Sequence, residues 1–225
     1  LPAIIEPDKI IRRERFILDR LMPIPTHSEL LVATNNAGKM RELTGLLARL
    51  PIRLRQLSEF PQIKEVEETG ETFVDNALLK ARLYGQQAGL WTLADDSGLE
   101  VDALNGAPGV LSARYAGRNA TDEERNARLL AELGRTNDGR RTARFICAIA
   151  LYDPATGGAE IFNGTCEGNI LEHPRGDNGF GYDPLFVPDG YAQTFGELSE
   201  AVKQRISHRA RALAAVRVYL DERFS

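Results

Sequence analysis

Leu93-Ala94-Asp95-Asp96-Ser97-Gly98-Leu99 is the stretch on which the reading of this chain turns. An apolar run brings two adjacent carboxylates, then Ser-Gly, to the expected end of a strand. Buried carboxylates repel each other and lose hydration, so such a pair calls for a cation or a shared proton. A solvated Asp-Asp-Ser-Gly turn is the plainer alternative. The segments on either side decide between the two.

Upstream, Leu30-Leu31-Val32-Ala33 reads as a short buried strand and residues 34–39 as a turn. Helical spacing follows at Met40, Leu43, Leu46, Leu47 and Leu50, and Pro51 ends it. Ile52-Arg53-Leu54 offers a second strand, so the chain opens in a βαβ-like manner. Strand, tight turn, lysine and helix make a good phosphate holder. The helix start has free N–H groups and a favourable dipole, Lys39 adds a full charge, and Thr34 and Asn36 add donors. This is not a Walker loop: Ala33 stands at the required first Gly and Met40 at the Ser/Thr position.

Next comes an acidic loop with Glu65, Glu67 and Glu68, and a helix expected from about Thr72, which has capping-box spacing to Asp75. Asn76 and Lys80 lie i, i+4 on that helix, so Lys80 can face the same place as Asp96. A carboxylate from the loop together with Asp96 gives Mg²⁺ two oxygen ligands, with water and phosphate oxygens completing the octahedron. His and Cys are too sparse to favour zinc.

Downstream, a Gly/Pro loop spans residues 105–109, and Thr121-Asp122-Glu123-Glu124 opens a further helix through Leu133. Phe145 to Tyr152 and Glu160 to Cys166 read as two strands of a hairpin turning at residues 153–158. Gly176-Asp177-Asn178-Gly179-Phe180-Gly181-Tyr182-Asp183-Pro184 is a glycine-rich loop in which Phe180 is placed to stack on a base. Ser199 begins a last helical region. Its basic cluster offers Lys203 to phosphate and His208 and Arg209 to a base edge.

Composition sets the frame. With 225 residues and a net charge of −4, the chain has length for a sizeable core and no broad nucleic-acid footprint. No apolar run is long enough to span a membrane. Cys147 and Cys166 fit neither a zinc site nor a redox motif and read as small buried thiols of a reducing cytoplasm. Residues 1–29 read as an N-terminal extension and not as a secretory signal. Pro7 opens a short amphipathic helix there that Pro23 and Pro25 break, and the patterned domain runs over residues 30–222.

Taken in order, these segments resemble the inosine triphosphate pyrophosphatase family, the RdgB-like purine nucleoside triphosphate pyrophosphatases. The carriers are Thr-Asn-Asn-Ala-Gly-Lys (34–39), Glu-Glu-Thr-Gly (67–70), Asn-Ala-Leu-Leu-Lys-Ala (76–81), Ala-Asp-Asp-Ser-Gly-Leu (94–99), Gly-Ala-Pro-Gly-Val-Leu-Ser-Ala-Arg-Tyr (106–115), Phe-Gly-Tyr-Asp-Pro (180–184) and Ser-His-Arg (207–209).

The resemblance implies an α/β fold, a mixed sheet with helices, in two lobes flanking a nucleotide cleft. It implies a homodimer that needs Mg²⁺ and hydrolyses ITP, dITP and XTP to monophosphate and pyrophosphate. It aligns Asp96 with the proton acceptor and a metal ligand, and Glu67 with a second metal position. It aligns Thr34, Asn35, Asn36, Ala37, Gly38, Lys39, Lys80, Ser97 and Lys203 with triphosphate contacts. Phe180, Gly181, Tyr182, Asp183, His208 and Arg209 align with the base pocket. Asn35 departs from the family's usual Gly, and a left-handed backbone that Asn tolerates is the expectation there. Asp95 has either a supporting or a ligating role. Two rivals stay open: a Maf-like nucleotide pyrophosphatase, which lacks the Phe-Gly-Tyr-Asp and Ser-His-Arg pair, and a non-catalytic nucleotide sensor.

Overall fold

In the computed structural model the described residues are 29–48, 50, 52–136 and 138–224. The extension's expected helix lies outside them. Six strands form one mixed sheet in the order β2-β1-β3-β4-β5-β6. They are β1 (Glu29–Val32), β2 (Arg53–Gln56), β3 (Trp91–Val101), β4 (Thr142–Tyr152), β5 (Ala159–Ile170) and β6 (Phe186–Pro188). β1 pairs in parallel with β2 on one side and β3 on the other, while β3 to β6 pair antiparallel.

The helices are α1 (Ala37–Leu47), α2 (Phe73–Ala88), α3 (Asp122–Leu133), α4 (Glu200–Ile206) and α5 (His208–Phe224). The capping boxes at Thr72/Asp75 and Thr121/Glu124 are present as their spacing requires. Gly89 closes α2 in the left-handed conformation, at φ 66°.

Side-chain alternation along the strands builds three packed regions. Leu93, Cys147, Ile149 and Leu151 face α1 and α5. Ala94, Ala148, Ala150 and Tyr152 face α2 on the other side of the sheet. Beyond these, Leu99, Val101, Phe145, Cys166 and Ile170 pack with β6 and α3 into a second core. The long strand β3 therefore crosses from one core to the next, and residues 95–98 lie at the crossing.

Here the structure corrects one expectation. The Asp-Asp-Ser-Gly run does not end a strand; β3 continues to Val101, paired with β4 from Thr92 to Val101. What ends is the parallel pairing with β1, at Leu93. Gly98 allows the continuation. A Cβ there would stand 2.3 Å from Ser112 Oγ, which accepts the Leu99 N–H at 2.9 Å. The last helical region is likewise two helices, broken at extended Ser207 (φ −67°, ψ 158°). β6 has no counterpart in the sequence reading. Both cysteines are free and buried, and burial pushes the Cys147 thiol up to about 12.

Candidate active site

β1 delivers the chain to the turn that opens α1. Ala33 N–H still bonds to Leu93 O at 2.8 Å, and then the chain turns. Asn36 caps α1, its Oδ1 accepting Lys39 N–H at 3.0 Å, and Thr34 Oγ1 accepts Asn36 N–H at 3.2 Å. Asn35 is exposed and is not left-handed; among the described residues Asn105 is the only non-glycine with positive φ. Capping by Asn36 from an extended backbone sets this turn, so its geometry makes no demand for glycine at residue 35.

The two adjacent carboxylates separate because successive side chains of a strand point to opposite faces. Asp95 faces α1 and α5. Its Oδ2 lies 3.2 Å from Lys39 Nζ, 3.3 Å from Arg209 Nε and 3.2 Å from Arg209 Nη2, and it accepts Ser97 Oγ–H at 3.1 Å. Burial alone would raise this carboxyl, but Lys39 and Arg209 beside it hold it well below the usual carboxylate range.

Asp96 faces α2. Asn76 Nδ2 donates to it at 3.2 Å and Lys80 Nζ lies 3.4 Å away. Lys80 also donates to Glu68 Oε1 at 2.6 Å and to Asp95 O at 2.7 Å. Burial raises the Asp96 carboxyl above its ordinary value. Lys80 and Lys39 offset this only in part, because Glu68 and Asp95 add like charge.

The break at Ser207 lets α4 and α5 each aim one cation at α1. Lys203 Nζ lies 2.7 Å from Glu42 Oε1 and also pairs with Asp183, while Arg209 pairs with Glu42 and Asp95. Glu42, lowered by these two cations against its burial, thus ties the phosphate-turn helix to both.

Asp183 Oδ2 accepts Phe180 N–H at 2.8 Å and fixes the glycine-rich loop. The Phe180 ring stands 4.9 Å from Lys203 Nζ and lies flat against Gly38, where a Cβ would approach within 2.6 Å. Gly38→Ala should therefore overpack this contact and destabilise the protein by about 1–3 kcal/mol. Chemical denaturation checks it, and an unchanged midpoint would show the ring free to swing aside.

A cavity of about 300 Å³ opens between the phosphate turn, the glycine-rich loop and the start of α5. It brings together Asn36 to Lys39, Ser97, Phe180 to Asp183, Lys203, His208 and Arg209. Thr34, Asn35, Lys80, Asp96 and Glu67 are not in its wall; Asp96 and Lys80 pair with each other between β3 and α2. His208 stacks on Phe145 at 4.8 Å, and its burial beside Arg209 and Lys203 keeps it neutral.

Tyr182 is buried and donates to Ser112 O at 3.0 Å, so it braces the loop. Glu67 is largely exposed and pairs only loosely with Arg118 at 3.7 Å, whereas Glu68 turns inward to Lys80. Sequence reasoning missed Glu42, Ser112, Asp122 and Arg125. Glu42 sits among apolar helical positions as any solvated charge would, and Asp122 reads as an ordinary helix-start acid.

Among the described residues no group of three or more His, Cys, Asp or Glu side chains forms an all-protein metal cage. In the cluster, five cations (Lys39, Lys80, Arg114, Lys203, Arg209) meet five carboxylates (Glu42, Glu68, Asp95, Asp96, Asp183). A polyphosphate would find no net positive charge there. A hard divalent cation held by one or two of these oxygens fits both facts.

The comparisons agree with this geometry. The Ham1 family model matches residues 30–219. A dITP/XTP pyrophosphatase of Geobacter sulfurreducens is 51% identical over 193 residues, covering 86% of this chain and 96% of that protein. One of Bacillus anthracis is 48% identical over 197 residues, covering 87% and 98%. The solved HAM1 protein of Coxiella burnetii superposes with TM-score 0.81 at 45% identity, over 87% of this chain and 99% of that one. A nucleoside-triphosphatase / dITP/XTP pyrophosphatase of Mycobacterium abscessus gives TM-score 0.69 at 48% identity, over 84% and 98%. A sheet that passes its paired carboxylates between two cores, a capped phosphate turn and these matches lead to one assignment: the chain belongs to the Ham1 family.

Proposed function

We propose that this chain hydrolyses non-standard purine nucleoside triphosphates (ITP, dITP and XTP) to the monophosphate and pyrophosphate. The observation that carries the reading is the joining of an aromatic-walled cavity at Phe180, His208 and Arg209 to the capped Lys39 turn. Asp96, next to the cavity residue Ser97 on β3, pairs with Lys80 at 3.4 Å. The names of the relatives at about half identity support the same chemistry. Retention of Asp96 and all three lysines argues against a non-catalytic sensor.

The base enters the cavity against Phe180, and Arg209 and His208 meet its edge. The triphosphate runs past Ser97 onto the N–H groups of α1 and Lys39. Asp96 accepts the proton of the water that attacks the α-phosphorus, and pyrophosphate leaves. Lys39, Lys80 and Lys203 offset the charge that gathers on it. Asp96 with an acidic-loop carboxylate would hold Mg²⁺; the resemblance favours Glu67, and the inward position of Glu68 favours Glu68. When bound, the ion supplies charge neutralisation and orientation of the phosphate oxygens. The reading extends to a homodimer acting in the cytoplasm on free nucleotides, with no nucleic-acid polymer or membrane as partner. No helix among the described residues is long and apolar enough to cross a membrane.

Incubation with ITP and Mg²⁺ should give IMP and pyrophosphate in equal amounts, and chelation should stop the reaction. Orthophosphate with IDP would place the attack at the terminal phosphorus and overturn the reading.

A further inference from the structure

The cavity carries a second guanidinium that the proposed function leaves unused. Arg125, on the first turn of α3, lines the same cavity as Arg209, and its side chain is 17% exposed. Its orientation is fixed. Nη1 donates to Ala120 O at 2.6 Å and to Ala113 O at 3.1 Å, and Nη2 donates to Asp122 Oδ1. Three of the five guanidinium N–H donors are engaged by these bonds, which leaves two for a ligand.

Each oxygen of Asp122 accepts one bond, Oδ1 from Arg125 and Oδ2 from Gly181 N–H at 2.6 Å. Ser112 O accepts Tyr182 Oη–H at 3.0 Å, and Gly109 O accepts Ser112 Oγ–H at 2.6 Å. Arg125 is therefore the cation that this side of the cavity presents to a ligand, with two donors left. Arg209 belongs to α5 and is anchored on Asp95 and Glu42, so the two arginines reach the cavity from different elements.

We infer that Arg125 reads the 2-position of the purine and sets the order of 2-oxo, 2-hydrogen and 2-amino substrates. This rests on the proposed function, in which the base occupies this cavity. Positions 6 and 2 flank N1 on one edge of a purine. Xanthine carries an oxygen at position 2, which accepts from a guanidinium. Hypoxanthine carries hydrogen there and makes no polar demand. Guanine carries an amine, which meets the Arg125 donors. Leaving such groups buried and unpaired is what makes a polar site reject a mismatched base. Guanine shares the 6-oxygen that Arg209 would meet, so it must be rejected elsewhere on the edge, and Arg125 is placed to do it.

The test is kcat/KM for ITP, XTP and GTP on the full chain with Mg²⁺, for wild type, Arg125→Gln and Arg125→Lys. Gln removes the charge-fixed donors, frees Asp122 Oδ1 and adds an acceptor. XTP should fall and GTP should rise, each by about tenfold relative to ITP. Lys, which keeps a donor-only cation, should retain the wild-type order. A parallel fall of all three substrates in Arg125→Gln would mean that Arg125 only braces the loop, and unchanged ratios would mean that position 2 is read elsewhere. Either result overturns the inference.

Should Arg125→Gln unfold, inhibition of the wild type decides. XMP must inhibit at lower concentration than GMP, and equal inhibition overturns the assignment. Failure of the wild type to hydrolyse ITP at all is a different outcome, and it removes the proposed function itself.

Discussion

Asp96→Asn should fold as the wild type does and lose about 10²–10⁴-fold in turnover. The change removes the proton acceptor and one negative charge with almost no change in volume. The fold tolerates it because the groups around residue 96 keep other partners. Lys80 retains Glu68 at 2.6 Å and Asp95 O at 2.7 Å, and Asn76 still accepts Gly70 N–H at 2.7 Å. Turnover within a few-fold of wild type would move the base to another carboxylate, Glu68 being the nearest partner of Lys80.

Asp95→Asn should act mainly on stability. Asp95 is fully buried and opposes two cations, Lys39 and Arg209, from the face of the sheet away from Asp96. Removing one partner of a buried ion cluster leaves uncompensated charge and costs about 3–5 kcal/mol. In a protein of this size that is about 2–4 °C of melting temperature for each kcal/mol. The pH dependence has a definite sign. The folded carboxyl is held well below its unfolded value, so the stabilisation is fully present above the ordinary aspartate pKa. It is lost only as pH falls from there toward the folded value. Asp95→Asn should therefore lose stability at neutral pH and show a flatter acid unfolding curve. Equal stability of the two proteins at pH 7 would show that Glu42 alone satisfies Arg209 and that solvent satisfies Lys39.

Much of this was legible in residue order. The spacing of Leu30 to Leu50 predicted a strand, a turn and a helix around Lys39, and all three are present, while the Asn36 cap was not foreseen. Thr72 with Asp75 and Thr121 with Glu124 announced their helices through local hydrogen bonds, which depend on neighbours three residues away. Helical periodicity put Asn76 and Lys80 on one face, and both meet Asp96, at 3.2 and 3.4 Å. These are short-range rules, and local sequence is enough to carry them.

The remainder depended on contacts between residues far apart in the chain. Whether Asp-Asp-Ser-Gly ends a strand or crosses one was settled by β4, some fifty residues later, which pairs with the run throughout. Once the strand continues, alternation sends Asp95 to one face and Asp96 to the other. The adjacent pair then meets different direct partners, Lys39 and Arg209 for Asp95 and Lys80 for Asp96, while each carboxylate still feels the other's charge. The role of Glu42 required α4 and α5 to fold back over α1, since its partners lie at residues 203 and 209. Arg125 entered the cavity only because α3 packs against the Phe180 loop, where Asn126 Nδ2 donates to Gly181 O at 3.1 Å. The sequence by itself therefore determined the strand, turn and helices that carry the candidate residues, because spacing and capping are local properties of the backbone. The tertiary structure alone decided which charges neutralise one another and which remain for a ligand, because burial and pairing are properties of the packed chain.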